Sequence, residues 1–112
     1  MALDVRLYLA DEVEALTEGL QAGTVSVMDM WRFMEGSARA AATIGIRATL
    51  VPYVADLPGY DYFETLESNL ALLKSHRVAA DGRVRTWLGL EHLLYCSPEA
   101  FRTAADLAEK YD

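Results

Sequence analysis

Apolar positions along the chain alternate between stretches with a helical period and short, nearly continuous runs. Leu3, Leu7, Val13, Leu16 and Leu20 recur close to a 3.6-residue period while Asp11, Glu12, Glu14 and Glu18 populate other faces, which predicts a first helix over Leu3 to Gln21. Gly23 is placed to stop it, because glycine adopts the left-handed conformation without a Cβ penalty. Thr24 to Met30, with Val25, Val27 and Met28, predicts a strand buried on both faces. Met34 to Thr43 is rich in alanine (Ala38, Ala40, Ala41, Ala42) and predicts a short helix lying close against a sheet, with Gly45 as its stop. Ile46 to Val51 predicts a second strand, halted by Pro52, which cannot donate to a ladder.

Pro52 to Tyr60 carries two prolines, a glycine and two tyrosines and reads as a loop. Asp61 followed by Glu64 has capping-box spacing for a third helix, with an apolar stripe of Phe63, Leu66, Leu70 and Leu73 that frays near Ser75 to Val78. Asp81-Gly82 is a turn signal, Val84 to Leu88 predicts a third strand, and Gly89 to Cys96 a loop at its end. Ser97, Pro98 and Glu99 supply an N-cap, a first-turn proline and a first-turn acid for a last helix, with Phe101, Ala104, Ala105, Ala108 and Tyr111 as its buried face.

The resulting order, α-β-α-β-α-β-α, predicts an α/β fold with a three-stranded parallel sheet and right-handed crossovers. Such a sheet leaves two strand edges open. The chain stops at Tyr111-Asp112, within or at the end of a helix where another strand would follow, so the expectation is a single incomplete unit, a piece of a larger barrel.

Composition narrows the function classes. An apolar fraction of 53% with 24% charged residues is that of a globular protein. The net charge of -7 and ten scattered Lys and Arg residues argue against a nucleic-acid partner, which requires clustered cations. No apolar run approaches the roughly 20 residues needed to span a bilayer, so no membrane partner is expected. A lone cysteine, Cys96, excludes an intrachain disulfide and fits a cytoplasmic setting.

Candidate chemistry gathers at the three strand ends, which share one mouth in a barrel. The first offers Asp29, Trp31 and Arg32, the second Tyr53 and Asp56, the third Glu91, His92, Tyr95 and Cys96. Each has a plainer reading. Asp29 as a loop or cap acid, Trp31 as packing, Tyr53 and Tyr60 as braces beside prolines, and His92 and His76 as solvated side chains are all consistent with the pattern. Glu91 is placed to orient His92 or raise its pKa. Cys96 with His92 has the residue types of a nucleophile and base at i, i+4, yet no third orienting group accompanies them, and a small buried cysteine explains the position as well. There is no HxH, HExxH, CxxC, GxGxxG or P-loop, so no self-contained active site is visible.

The stretches GLQAGTVSVMDMW, GIRATL and RVRTWLGLEHLLYCSPEAFRTAADLAEKY, in that order, resemble the amidohydrolase superfamily. The nearest likeness is to its cytosine/adenosine deaminase-like and triazine-hydrolase-like branches, over strands 2 to 4 of a (β/α)8 TIM barrel. The resemblance implies a metal-dependent hydrolase, using Zn2+ or Fe2+ and an activated water against a C–N or C–Cl bond of a purine, pyrimidine or triazine-like ring. It also implies that the metal ligands lie on strands this chain lacks, so no metal site and no turnover are expected of these residues alone. In the loop from Gly89 to Ser97 the family's substrate-contacting histidine falls on Glu91, with His92 one position later, a departure from the family pattern. The substrate-binding candidates are therefore Glu91, His92, Asp29, Trp31 and Tyr53, with a small molecule as partner. The alternative that the residues leave open is a small standalone α/β module that binds or forms homo-oligomers through its strand edges.

Overall fold

The computed structural model describes residues 5–76 and 78–111. Four helices and four strands follow one another as α1 (Val5–Gln21), β1 (Ser26–Asp29), α2 (Met34–Ile44), β2 (Arg47–Leu50), α3 (Leu66–His76), β3 (Val78–Ala79), β4 (Val84–Thr86) and α4 (Pro98–Tyr111). The expected start of the first helix at Leu3 lies outside the described residues. Strands β1, β2 and β4 form the parallel sheet that the alternation predicts, with Ser26 opposite Arg47 and Ala48 opposite Val84. The sheet order is β1-β2-β4-β3.

The expected three-stranded parallel sheet stands, and a short antiparallel strand is added at its edge. β3 is two residues long and pairs antiparallel with β4, Val78 opposite Arg85. Ala80, Asp81 and Gly82, all at positive φ, make the turn between them. The Asp81-Gly82 signal marked this turn, but a two-residue strand carries no periodicity that a sequence can display. α3 ends at His76, where the Thr86 hydroxyl takes up a terminal carbonyl by donating to His76 O at 2.8 Å.

The core lies between one sheet face and the helices. Leu16 from α1, Met34, Ala38, Ala40 and Ala41 from α2, Ala48 and Leu50 from β2, Leu72 from α3 and Val84 from β4 form one buried cluster with Ile46. The small side chains of α2 let it sit close to the sheet, as its composition predicts. Gly23 (φ 97°) and Gly45 (φ 87°) end α1 and α2 in the left-handed conformation, and Gly45 N donates to Ala41 O at 2.9 Å.

Three expectations are overturned. β1 is not buried on both faces: it forms a sheet edge, Met28 is 55% exposed, and Val25 just before it is 73% exposed. A continuous apolar run cannot reveal which strand lies at an edge. The Asp61/Glu64 spacing does not start α3; the reciprocal box forms at Thr65 and Ser68, with Ser68 N donating to Thr65 Oγ1 at 3.0 Å and Thr65 N to Ser68 Oγ at 3.1 Å. The buried face of α3 is accordingly Asn69, Leu72 and Leu73, with Leu66 and Leu70 only half-buried. On α4 only Ala100 is buried, while Ala105 and Ala108 are exposed. That helix is held at its start, where Ser97 Oγ accepts from Ala100 N and donates to Asp56 Oδ2. None of the helices is long and apolar enough to cross a membrane, among the described residues.

Candidate functional site

The carboxyl ends of β1, β2 and β4 meet through backbone bonds that continue beyond the strands. Val51 N donates to Asp29 O at 2.9 Å, Tyr53 N to Trp31 O at 3.0 Å, Trp87 N to Leu50 O at 2.9 Å and Glu91 N to Val54 O at 2.9 Å. These bonds set the three loops in register at one mouth. They carry Trp31, Tyr53, Glu91 and His92 at the strand ends as the sequence suggested.

An aromatic chain runs across that mouth. The rings of His92 and Tyr95 are 5.5 Å apart, Tyr95 and Tyr60 4.5 Å, and Tyr60 and Tyr62 6.4 Å. The Arg32 guanidinium lies 5.8 Å from the Tyr62 ring and 5.4 Å from that of Trp31, whose edge meets Tyr53 at 5.4 Å. Phe63 stacks on Tyr95 at 5.7 Å and reinforces the chain. Trp31 remains 45% exposed and His92 is exposed, so surface is left for a ligand. A cleft of about 310 Å³ lined by Tyr60, Phe63, Asp56 and Leu66 adjoins the same rings. Of these residues Tyr60, Tyr62 and Phe63 are not among the ligand contacts that the sequence offers at the strand ends; the density of aromatic residues between Tyr53 and Phe63 is the available signal.

Glu64 fixes the geometry. Its Oε1 accepts from Phe33 N at 2.8 Å, its Oε2 from Ser68 Oγ at 2.7 Å, and its backbone N donates to Tyr53 O at 2.8 Å. Arg32 adds a bond from Nη1 to Tyr62 O at 3.0 Å. The loop after β1 is thereby joined to the loop after β2. Phe33 sits at the start of α2 in the left-handed region (φ 61°), an uncommon state for a bulky residue that such bonds help to hold.

Asp29 is the candidate whose side chain turns elsewhere. It lies on the helix-facing side of β1, alternating with the exposed Met28, and interacts with Glu12 of α1, which is also influenced by Ser37 of α2. Burial, and then the neighbouring Asp29 carboxylate, push Glu12 up to about 7, against an opposing pull from the Ser37 hydroxyl. In the sequence pattern Glu12 lies off the apolar stripe of the first helix, which does not reveal this contact.

His92 Nδ1 accepts from Leu94 N at 3.2 Å, a local turn contact. Cys96 is buried, 4% exposed, and its thiol donates to Val54 O at 3.2 Å, so the thiol and His92 do not form a nucleophile–base pair. His76 lies at the far end of α3, its Nδ1 2.8 Å from Ser75 Oγ and 3.5 Å from Glu35 Oε2. Among the described residues no three His, Cys, Asp or Glu side chains gather as metal ligands, so this donor set does not fit the metal that the family resemblance implies.

Comparisons with known proteins agree with the geometry. The chain is 36% identical over 86 residues to a 5-methylthioadenosine/S-adenosylhomocysteine deaminase of Dictyoglomus thermophilum, a match covering 77% of this chain and 20% of that protein. It is 31% identical over 96 residues to a 5'-deoxyadenosine deaminase of Methanothermobacter thermautotrophicus, covering 85% of this chain and 22% of that protein. Its fold superposes on a triazine hydrolase variant with a TM-score of 0.83 at 22% identity, covering 96% of this chain and 28% of the other. The chain thus spans about a fifth of the length of the curated relatives it matches. No family model matches the sequence. In sequence and in fold, the chain corresponds to a segment of a barrel of the amidohydrolase superfamily.

Proposed function

We propose that this chain forms part of the substrate wall of a metal-dependent hydrolytic deaminase acting on a small heteroaromatic molecule, with an adenine nucleoside as the favoured class. The observation that carries this reading is the aromatic chain from His92 through Tyr95, Tyr60, Tyr62, Arg32 and Trp31 to Tyr53. Planar rings stack on such surfaces with little entropic cost, because aromatic side chains have few rotamers to lose. Trp31 and Tyr53 offer the stacking faces, Glu91 a carboxylate able to accept from an exocyclic amine, and His92 a ring nitrogen at the rim. Activation of water belongs to a Zn2+ or Fe2+ ion whose ligands the resemblance puts outside these residues. What these residues do is bind and orient the ring. The relatives named as deaminases of adenosine derivatives support the choice of nucleoside over triazine.

The test is ligand quenching of Trp31 emission in the 112-residue chain carrying Trp87→Phe. 5'-Deoxyadenosine is expected to quench it saturably, and Tyr53→Ala to weaken that binding by about tenfold, in line with stacking worth roughly 1–3 kcal/mol. Equal quenching by a ribose lacking the base would overturn the reading.

A second reading, homo-oligomerisation through the open sheet, is favoured by the exposure of Met28 and Trp87. Sedimentation of the chain over a concentration series separates the two: a dimer that dissociates on Met28→Lys supports this reading, and a monomer at all concentrations removes it. The single buried thiol is compatible with a cytoplasmic protein.

A further inference from the structure

We propose that Glu12 of α1 and Asp29 of β1 share a single proton, and that this proton, with Ser37 of α2 closing the third side, is a pH-released clasp fastening α1 to the end of β1. The argument begins with position. Glu12 lies one turn before the buried Leu16, on a helix whose Leu9, Val13 and Leu20 also pack on the core. It therefore points between the layers, toward the helix-facing side of β1. Asp29 occupies that side, and Ser37 of α2, only 1% exposed, also acts on Glu12.

Polar accounting then requires a proton. Asp29 Oδ2 and Ser37 Oγ are both buried with no direct hydrogen-bond partner among the described residues. A buried acceptor left unpaired is costly, and an ionised Glu12 has nothing to donate. Protonated Glu12 does: its O–H can bond Asp29, converting two repelling carboxylates into one hydrogen-bonded pair.

Among the described side chains, no cation is placed to neutralise both charges. Arg39, on α2, is exposed and paired with Glu35 at 3.2 Å. Arg47, on β2, lies on the exposed sheet face, alternating with the buried Ala48 and Leu50 that face the helices. The other described acids of α1, Asp11, Glu14 and Glu18, are exposed. Desolvation and the Asp29 charge act in the same direction on Glu12, holding its proton toward neutral pH. As pH rises through about 7 the proton leaves, the carboxylates repel, and the contact between α1 and β1 weakens.

The experiment is a carboxyl-carbon NMR titration of the full chain labelled at Asp and Glu. The expected result is one carboxyl titrating near neutral pH, lost in Glu12→Gln and in Asp29→Asn. Melting temperatures provide the second measurement. Glu12 binds its proton more tightly folded than unfolded, so its contribution is complete below the unfolded pKa and disappears as pH rises through the folded one. The unmodified chain should therefore lose melting temperature between about pH 4.5 and about pH 7 relative to Glu12→Gln, whose amide donates at every pH. Using the difference between the two curves removes every titration that the two proteins share. If every carboxyl titrates below about pH 5, as unperturbed side chains do, the clasp does not exist. Parallel melting curves would overturn it equally, and should Glu12→Gln fail to fold, the titration of the unmodified chain decides alone.

Discussion

The side chain of Asn69 brackets the backbone around Gly89: its Oδ1 accepts from Gly89 N at 2.8 Å while its Nδ2 donates to Trp87 O at 3.1 Å. Asn69 is wholly buried on α3, so a helix behind the sheet fixes the path by which the chain leaves β4 and enters the mouth. Replacing it by Leu keeps much of the volume and removes both bonds, leaving one donor and one acceptor of the backbone unpaired. Asn69→Leu should cost about 2–4 kcal/mol in urea unfolding. Asn69→Asp keeps the acceptor for Gly89 but turns a buried carboxylate toward Trp87 O, so it should not recover the loss at neutral pH. Equal stability of all three proteins would mean that water replaces the amide.

Gly89 is needed for a different reason. A Cβ at this position would come within 2.2 Å of Pro52 O and 2.8 Å of Val51 Cγ1. The first of these is backbone at the end of β2, which cannot swing aside as a flexible side chain does. Gly89→Ala should therefore separate the loops after β2 and β4 and destabilise the protein by about 3 kcal/mol or more, beyond ordinary overpacking. Urea unfolding measures the loss, and loss of the Glu91 N to Val54 O bond would appear as faster hydrogen exchange at Glu91.

What the sequence revealed and what it concealed follow from the range of each interaction. The alanine face of α2, the Gly45 stop and the Ser97-Pro98 start are local chemistry, and all three stand in the structure. The parallel pairing of β1, β2 and β4 followed from the alternation of elements rather than from any one residue. Glu64 misled because its spacing from Asp61 imitates a cap, whereas its carboxylate reaches Phe33, far back in the chain. Asn69 occupied the centre of a buried face that an apolar stripe would have filled with leucine. The placement of Trp31, Tyr53, Glu91 and His92 after strand ends was legible because the alternation of elements sets where each strand stops. Asp29 was assigned to that mouth by position alone, but the alternation of side chains along β1 turns it toward Glu12.

Glu64 should govern the site more than its distance from the candidate ligand contacts suggests. Glu64→Ala removes the acceptors of Phe33 N and Ser68 Oγ together, at a cost of about 1–3 kcal/mol. It also loosens the loop that carries Trp31. In the Trp87→Phe background, Trp31 emission should shift to the red and become more accessible to acrylamide. Glu64→Gln retains one acceptor oxygen and should fall between the two. Unchanged emission in Glu64→Ala would show that the Arg32 bond to Tyr62 O holds the loop by itself.

Cys96 tests the rejected thiol chemistry directly. A reactive cysteine needs a thiolate, an exposed sulfur and a nearby base. Here the thiol is buried, donates to Val54 O, and stands just before α4 in the same loop as an exposed His92 that instead accepts from Leu94 N. Iodoacetamide should therefore react with the native chain at a rate limited by opening of the fold. Addition of urea beyond the unfolding midpoint should raise the rate by orders of magnitude, to that of a free thiol. The stability changes predicted for Asn69→Leu and Gly89→Ala should raise the native rate in proportion to the population of open molecules, about tenfold for each 1.4 kcal/mol lost. Rapid alkylation of the folded protein, independent of these substitutions, would restore Cys96 as a nucleophile and call for a different reading of the loop after β4.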